Sequence, residues 1–373
     1  MNDTQTMAVA TPPSATATGT QRRVLLCDDS AAIRGFYRRA LDNDRTINIV
    51  ASVGNGQAAL DTLAQNEIDV VVLDIEMPVM DGLTALPRML AAQPGLKVLV
   101  VSGLTARGAD ISYKALVAGA AECVLKPATA DPGAAVDFQR ELVTKVRALA
   151  DARRIKLGKP LPYAAAASRP LKLMPARGPS GPVRAIAIAS STGGPSALLQ
   201  VIPTLKDGPK QPIFITQHMP PRFTTSLAEH LARVGGRPAA EAVDGEAVAE
   251  GRIYVAPGDW HMTVEGANPG KIRLSQSPPV NFCRPSADPM LHSLAVTYRS
   301  GLLCAVLTGM GSDGLLGASE VVRAGGSVIA QDQATSVVWG MPGAVANAGI
   351  CAAILPLDGV GPYIRKAASN GRP

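Results

Sequence analysis

The chain has 373 residues, 47% of them apolar, with 36 basic residues against 30 acidic ones and a formal net charge of +6. Such a length predicts two or three domains. No apolar run reaches the roughly 18 residues that a membrane helix needs, which argues against membrane insertion.

The basic residues are dispersed, and their densest group is Arg153, Arg154, Lys156 and Lys159, so specific nucleic-acid binding is not expected. Five scattered cysteines with no CxxC pair argue against a disulfide framework or a zinc site and suit a reducing cytoplasm. Residues 1–21 are rich in Thr, Ala, Pro and Ser, with no basic start and no apolar block. They read as a disordered tail and not as a signal peptide.

From residue 22, short apolar runs alternate with helical patterns. Arg22–Cys27 ends in Asp28-Asp29-Ser30, Val70–Leu73 ends in Asp74, Lys97–Val101 ends in Ser102, and Glu122–Leu125 ends in Lys126. Ala31–Leu41 and Gln57–Gln65 read as helices, as does a last stretch from Ala134 to Arg154. Alternation of this kind predicts a parallel sheet, and polar residues that all follow strand ends converge on its carboxyl edge. Three carboxylates there (Asp28, Asp29, Asp74) repel one another and call for a hard cation such as Mg²⁺. Lys126 and Ser102 add a fixed charge and a hydroxyl suited to a phosphoryl group on one of the aspartates. Helix capping or a solvated lysine accounts for any one of these five residues, but poorly for all of them.

The strings DDS at 28–30, VVLDIEMPVMDG at 71–82, SG at 102–103 and KP at 126–127 resemble a response-regulator receiver domain, a (βα)5 fold. The resemblance implies Asp74 as phosphoacceptor and Asp29 as a direct metal ligand. Asp28 would act through water, and the Glu76 carbonyl would complete the set. Ser102 and Lys126 would bind the phosphoryl oxygens, and a chemotaxis histidine kinase would be the donor. Three residues before the lysine, receivers usually carry Tyr or Phe, and this chain has Cys123. How a phosphorylation signal leaves the domain is therefore open.

The segment 154–182 repeats proline and glycine and reads as an extended linker. Beyond it, Val183–Ala189, Ile213–Thr216, Arg252–Ala256, Leu302–Leu307 and Ser327–Ala330 predict a second, doubly wound and mostly parallel α/β domain over 183–373. The run Ile186–Ala189 leads into Ser190-Ser191-Thr192-Gly193-Gly194-Pro195, a strand-to-helix turn with Pro pre-set for the first helical position. Such a turn is a place for a nucleophile beside free backbone N–H groups, or a tight βα turn with incidental serines, and the local sequence leaves both open.

The chain has four histidines. His218 follows a strand and lands on the same edge as Ser191, and His261 is a reserve base. His230 and His292 fall in helical stretches, where packed or solvent-facing roles are the default. Asp313 follows another strand and is placed to orient a base. Gly309-Met310-Gly311-Ser312-Asp313-Gly314, with Asp332 beyond it, has the spacing of a dinucleotide fingerprint, but Asp313 would repel a pyrophosphate.

The strings ASSTGGP at 189–195, ITQHMPPRFT at 215–224, YVAPGDWHM at 254–262, CRPSAD at 283–288, LTGMGSDG at 307–314 and TSVVWGMPGA at 335–344 resemble the chemotaxis protein-glutamate methylesterase family. The resemblance implies Ser191 as nucleophile, with Ser190 its neighbouring alternative. His218 would be the general base, Asp313 its orienting acid, and the N–H groups of Thr192 and Met310 an oxyanion hole, with no cofactor for this reaction. It also implies a cytoplasmic enzyme whose substrate is a methylated chemoreceptor cytoplasmic domain, with deamidation of receptor glutamines as a second activity. In that family the unphosphorylated receiver covers the esterase site. Two other classes compete: a receiver with a non-catalytic, partner-binding output domain, and a nucleotide-dependent oxidoreductase built on Gly309–Gly314.

Overall fold

The computed structural model describes residues 20–103, 106–127, 132–162 and 181–370. The predicted tail falls almost wholly outside these residues, as does most of the predicted linker.

The first sheet is built from β1 (Arg22–Cys27), β2 (Ile47–Val53), β3 (Val70–Asp74), β4 (Lys97–Ser102) and β5 (Glu122–Leu125), in the order β2-β1-β3-β4-β5 with all pairings parallel. The middles of its central strands are unbroken apolar runs because helices cover both faces. Helices α1 (Ala31–Asp42), α2 (Gly56–Gln65), α3 (Gly82–Ala92), α4 (Ala106–Val117) and α5 (Pro132–Lys156) alternate with the strands. The first three are started by side-chain caps. Ser30 Oγ accepts from Ile33 N–H (3.4 Å), Asn55 Oδ1 from Ala58 N–H (2.9 Å) and Asp81 Oδ1 from Thr84 N–H (2.7 Å).

β2 has no counterpart among the strands expected from the sequence. It is an edge strand, mostly half-buried, and its INIVASV pattern is diluted by polar residues. The helix α5 runs on to Lys156, and the basic group at its end is part of the fold. Arg154 Nη1 pairs with Asp69 Oδ2 at 3.2 Å with both side chains buried, and Lys159 pairs with Glu67.

The second sheet holds β6 (Ala185–Ser190), β7 (Ile213–Gln217), β8 (Ala239–Glu241), β9 (Ile253–Val255), β12 (Leu302–Val306), β13 (Ser327–Gln331) and β14 (Ala353–Leu355), in the order β14-β13-β12-β6-β7-β9-β8 and again parallel throughout. An antiparallel hairpin of β10 (His261–Glu265) and β11 (Lys271–Ser275) stands apart. Helices α6 (Gly194–Val201), α7 (Phe223–Gly235), α8 (Ala287–Tyr298), α9 (Leu315–Arg323), α10 (Met341–Asn347) and α11 (Leu357–Asn370) complete the domain. The short strands β8 and β14 and the hairpin escaped the sequence reading because they are short or lie at edges, whereas the three-residue β9 falls within the predicted run Arg252–Ala256.

Each sheet reverses its winding direction once, and crevices open at such points. In the first sheet this is between β1 and β3, and in the second between β6 and β12. The residues after those strands are Asp28 and Asp29, Asp74, Ser191, and the Thr308–Gly314 turn.

The two domains meet through α4 and β5. Tyr113 stacks on His230 of α7 with ring centroids 3.9 Å apart, and Ser196 Oγ donates to Leu116 O (3.1 Å). Gly193 N–H donates to Ala121 O (3.0 Å). Buried apolar residues of α4 and β5 join those of α6 and α7 in one continuous cluster, while Val338 of the second domain joins the other core of the first.

The turn at the end of β6 has no room for side chains. Gly193 has φ 78°, and a Cβ on Gly194 would overlap Gln217 Oε1 and crowd Ser190. Gly194→Ala is expected to destabilise the second domain by about 1–3 kcal/mol through overpacking, read as a lower urea midpoint. An unchanged midpoint would show that the turn adapts.

Candidate functional site

At the end of β6 the two adjacent serines have different environments. Ser190 is fully buried and its Oγ donates to Gln217 Oε1 (2.7 Å). Gln217 Nε2 donates in turn to Ser191 O (2.9 Å) and His218 O (3.1 Å), so one amide fixes both strand ends. Ser191 Oγ has no hydrogen-bond partner among the described residues, which leaves the second serine as the one with a hydroxyl to spend. Thr308 closes the turn from the other side: its carbonyl accepts from Ser191 N–H (3.1 Å) and its Oγ1 donates to Thr192 O (2.9 Å). The N–H groups of Thr192 and Met310 have no acceptor among the described residues. Two donors are thus left over on either side of the β6–β12 crevice.

His218, directly after β7, has its Nε2 2.7 Å from Asp313 Oδ2. Its Nδ1 lies 3.4 Å from Cys283 Sγ. This order is the reverse of the familiar serine-protease triad, where the acid takes Nδ1. Here Nδ1 is the nitrogen not taken by the acid, and it meets the Cys283 thiol. No hydrogen bond joins it to Ser191 Oγ among the described residues, so the structure brings His218 and Asp313 into direct contact and brings Ser191 only to the same edge.

Asp313 is 2% exposed and collects a dense set of donors. Oδ1 accepts from Ser286 Oγ (2.6 Å), Asn281 Nδ2 (2.8 Å) and more weakly Asp288 N–H (3.4 Å), and Oδ2 accepts from Ala287 N–H (2.6 Å) as well as facing His218. Asp288 is anchored by Gly317 N–H (2.7 Å) and shares Asn281 Nδ2 (2.8 Å). Burial would raise Asp313, but the His218 ring and the Ser286 and Ala287 donors outweigh it and hold the carboxyl well below the usual range. Burial would likewise lower His218, but the Asp313 hydrogen bond, helped by Cys283, lifts the ring to about 9.

The remaining candidates are accounted for. His261 is 2% exposed, its Nε2 facing Pro278 O (3.3 Å) and its Nδ1 accepting from Ser286 N–H (3.2 Å), so it braces the Asp313 loop. His230 packs under Tyr113, and His292 is exposed beside Glu320. The Gly309–Gly314 turn does open a helix after a strand, but Asp313 points to His218, and Asp332 caps its own loop through Thr335 N–H (2.9 Å). Asn281, Ser286, Asp288, Gln217 and Cys283 were not singled out by sequence reasoning. The signals were the CRPSAD string, which holds Cys283, Ser286 and Asp288, and the ITQHMPPRFT string, which holds Gln217.

In the first domain, oxygens of Asp28, Asp29 and Asp74 all lie within 4.8 Å of one another. Lys126 Nζ pairs with Asp28 Oδ2 (2.9 Å) and Asp74 Oδ2 (3.0 Å). Burial raises Asp74 above its ordinary value in spite of Lys126. Burial would lower Lys126, yet its two carboxylate partners hold it above its ordinary value. Three clustered carboxylates, two of them buried, form a donor set that fits a hard divalent cation. Glu76 is exposed at the rim, two residues past Asp74. Ser102 Oγ accepts from Ser112 Oγ of α4 at 2.5 Å, and Cys123 Sγ donates to Ser112 O (3.5 Å). No helix among the described residues is long and apolar enough to cross a membrane.

A family model described as CheB methylesterase matches residues 186–364, and one described as response regulator receiver domain matches residues 24–134. A protein-glutamate methylesterase/protein-glutamine glutaminase of Paramagnetospirillum magneticum is 53% identical over 98% of this chain and 100% of its own length. Another, of Azospirillum brasilense, is 54% identical over 97% of each chain. A third, of Caulobacter vibrioides, is 49% identical over 93% of this chain and 99% of its own.

A ring charged below about 9 cannot accept a proton, so the hydrolytic rate of the full chain is expected to rise with pH and level off above that value. The stabilisation from the raised ring runs the other way: it is complete below the ordinary imidazole value of 6.5 and lost as pH rises through about 9. Cys283→Ala is expected to shift the rate midpoint to lower pH while retaining activity. A pH–rate profile with the same midpoint in both proteins would contradict a role for the thiol.

Proposed function

The chain belongs to the CheB methylesterase family and is a chemotaxis response-regulator hydrolase, a protein-glutamate methylesterase with protein-glutamine glutaminase activity; on that premise we propose that Ser191, His218 and Asp313 carry the reaction. The observation that supports this most is the 2.7 Å pairing of His218 with buried Asp313, on the sheet edge where Ser191 Oγ is unpaired. A non-catalytic output domain is not favoured, since relatives matched over nearly their full lengths carry the enzyme's name.

In the proposed mechanism Ser191 Oγ attacks the γ-carbonyl of a glutamyl methyl ester on a chemoreceptor cytoplasmic domain. His218 Nδ1 takes the Ser191 proton, and Asp313 stabilises the imidazolium that forms. The oxyanion sits between the Thr192 and Met310 N–H groups, which have no other acceptor among the described residues. His218 returns the proton to the departing methoxide, and methanol leaves. Water, deprotonated by His218, then attacks the acyl-serine and restores Ser191 and a free glutamate. With a glutamine substrate the same steps release ammonia.

We further assign residues 22–153 to the receiver, 154–182 to a linker whose first residues continue α5 and pair with the receiver, and 183–373 to the catalytic domain, and place the protein in the cytoplasm. Asp74 is the phosphoacceptor for a chemotaxis histidine kinase. Asp28, Asp29, Asp74 and the Glu76 carbonyl would hold Mg²⁺, which supplies charge neutralisation for phosphoryl transfer, and Ser102 and Lys126 would meet the phosphoryl oxygens. The esterase reaction needs no cofactor.

Regulation follows from the domain contact. The receiver's Ala121 carbonyl occupies Gly193 N–H, two residues past the nucleophile, and Met310 and Val337 pack against the receiver core. When Ser102 turns to a phosphoryl group on Asp74, its hydrogen bond with Ser112 breaks. Ser112 adjoins Tyr113, so α4 carries the change to the stack on His230. This route does not require an aromatic residue at position 123.

Ser191→Ala is expected to cut methanol release from methylated receptor by about 10⁴-fold or more, and a near-wild-type rate would remove Ser191 from the mechanism. Asp74→Asn is expected to leave basal release intact and abolish its rise with a small phosphodonor and Mg²⁺. A persisting rise would overturn the regulatory account.

A further inference from the structure

Between β11 and α8, Val280 and Cys283 form an antiparallel bridge. Val280 N–H donates to Cys283 O (3.1 Å) and Cys283 N–H to Val280 O (2.9 Å), which closes a two-residue turn of Asn281 and Phe282. Both turn residues are left-handed, with φ 52° and 63°. Turns of this kind prefer Asn followed by Gly, because both central residues need positive φ. Phe in the second position is held in a region that L side chains disfavour. Its ring recovers nothing by packing, for Phe282 is completely exposed (101%).

The turn is also held rigidly. Asn281 Nδ2 bridges Asp288 and Asp313 at 2.8 Å each, and Cys283 Sγ lies 3.4 Å from His218 Nδ1. At its base Arg284 Nη2 pairs with Asp259 Oδ1 (2.6 Å), and Arg284 Nη1 donates to the carbonyls of Gln276 and Ser277 (3.1 Å each). An exposed aromatic ring is therefore presented on a braced tip, one residue from the partner of His218 on one side and one residue from the donor to Asp313 on the other. The receiver contacts the opposite parts of the site, at Gly193, Ser196, α7 and Val337, and leaves this ring bare.

Strain and exposure are both unfavourable in the free protein and coincide at the rim of the reaction site, which is where such features serve a ligand. We propose that Phe282 is a docking residue for the protein substrate. Its ring packs on the apolar side of the receptor helix that bears the esterified glutamate and so presents the ester to Ser191. The proposal rests on the esterase reading above. It commits to the receptor helix because the tip is continuous with the catalytic residues, and a rigid aromatic anchor gives contact area at little ordering cost.

The test compares the full-length wild type with Phe282→Gly and Phe282→Leu, in the presence of phosphodonor and Mg²⁺. One substrate is methylated receptor and the other is N-acetyl-glutamate γ-methyl ester, which has no helix to dock. For Phe282→Gly, kcat/KM on receptor is expected to fall about tenfold or more, mainly through KM. The rate on the small ester and the urea midpoint should hold or improve, because Gly relieves the turn. Phe282→Leu should recover part of the loss. Receptor kcat/KM within twofold of wild type for Phe282→Gly would overturn the proposal. So would an equal fall on both substrates, or self-association that depends on Phe282, which would assign the ring to a second copy of this chain. A wild-type enzyme that releases no methanol from receptor would instead sink the esterase reading, so the two failures are distinguishable.

Discussion

A carboxylate with 2% exposure survives in a folded chain only if donors replace its water, and Asp313 draws them from the loop entering α8 and from His218. That requirement organises the site. It draws Asn281, Ser286 and Ala287 onto one point, and through them it fixes the Phe282 turn and the start of α8. It also decides which nitrogen of His218 the acid occupies. His261, buried behind Ser286, braces the same loop. The shifts of Asp313 downward and His218 upward are two views of this one contact.

The second constraint is that both sheets are parallel and covered on both faces, so their polar residues can gather only at the carboxyl edges. When the two domains associate, α4 and β5 of the first lie against the Gly193 turn and α7 of the second. The phosphoryl chemistry proposed for Asp74 and the acyl chemistry proposed for Ser191 would thereby be joined through one helix, with Ser112 touching Ser102 and its neighbour Tyr113 touching His230 of the second domain. Cys123 contributes a hydrogen bond to Ser112 O and needs no swinging ring.

Much of this was legible in the sequence. Fully buried strands write themselves as unbroken apolar runs, so β1, β3, β4, β5, β6, β7 and β12 and the polar residues that follow them stood out, Asp28, Asp74, Ser191 and His218 among them. The edge strand β2 and the short strands β8 and β14 did not, because they carry polar residues or too few apolar ones. Residues that act through space were also hidden. Nothing local marks Asn281 as the bridge between two carboxylates, or Gln217 as the group that occupies Ser190 and leaves Ser191 free. The strain at Phe282 exists only in its backbone angle. Arg154 read as linker charge because its partner, Asp69, is distant in sequence and meets it only in the fold.

The most direct test of the account is the tautomer of His218, measured by nitrogen NMR of the ring in the full chain across the titration. Asp313 at Nε2 predicts that above about pH 9 the neutral ring keeps its proton on Nε2 and exposes the Nδ1 lone pair. In Asp313→Asn the ring should lose its proton at a lower pH. A neutral ring protonated on Nδ1, or a titration unmoved by Asp313→Asn, would contradict the account, because Nδ1 could then not take the proton of Ser191.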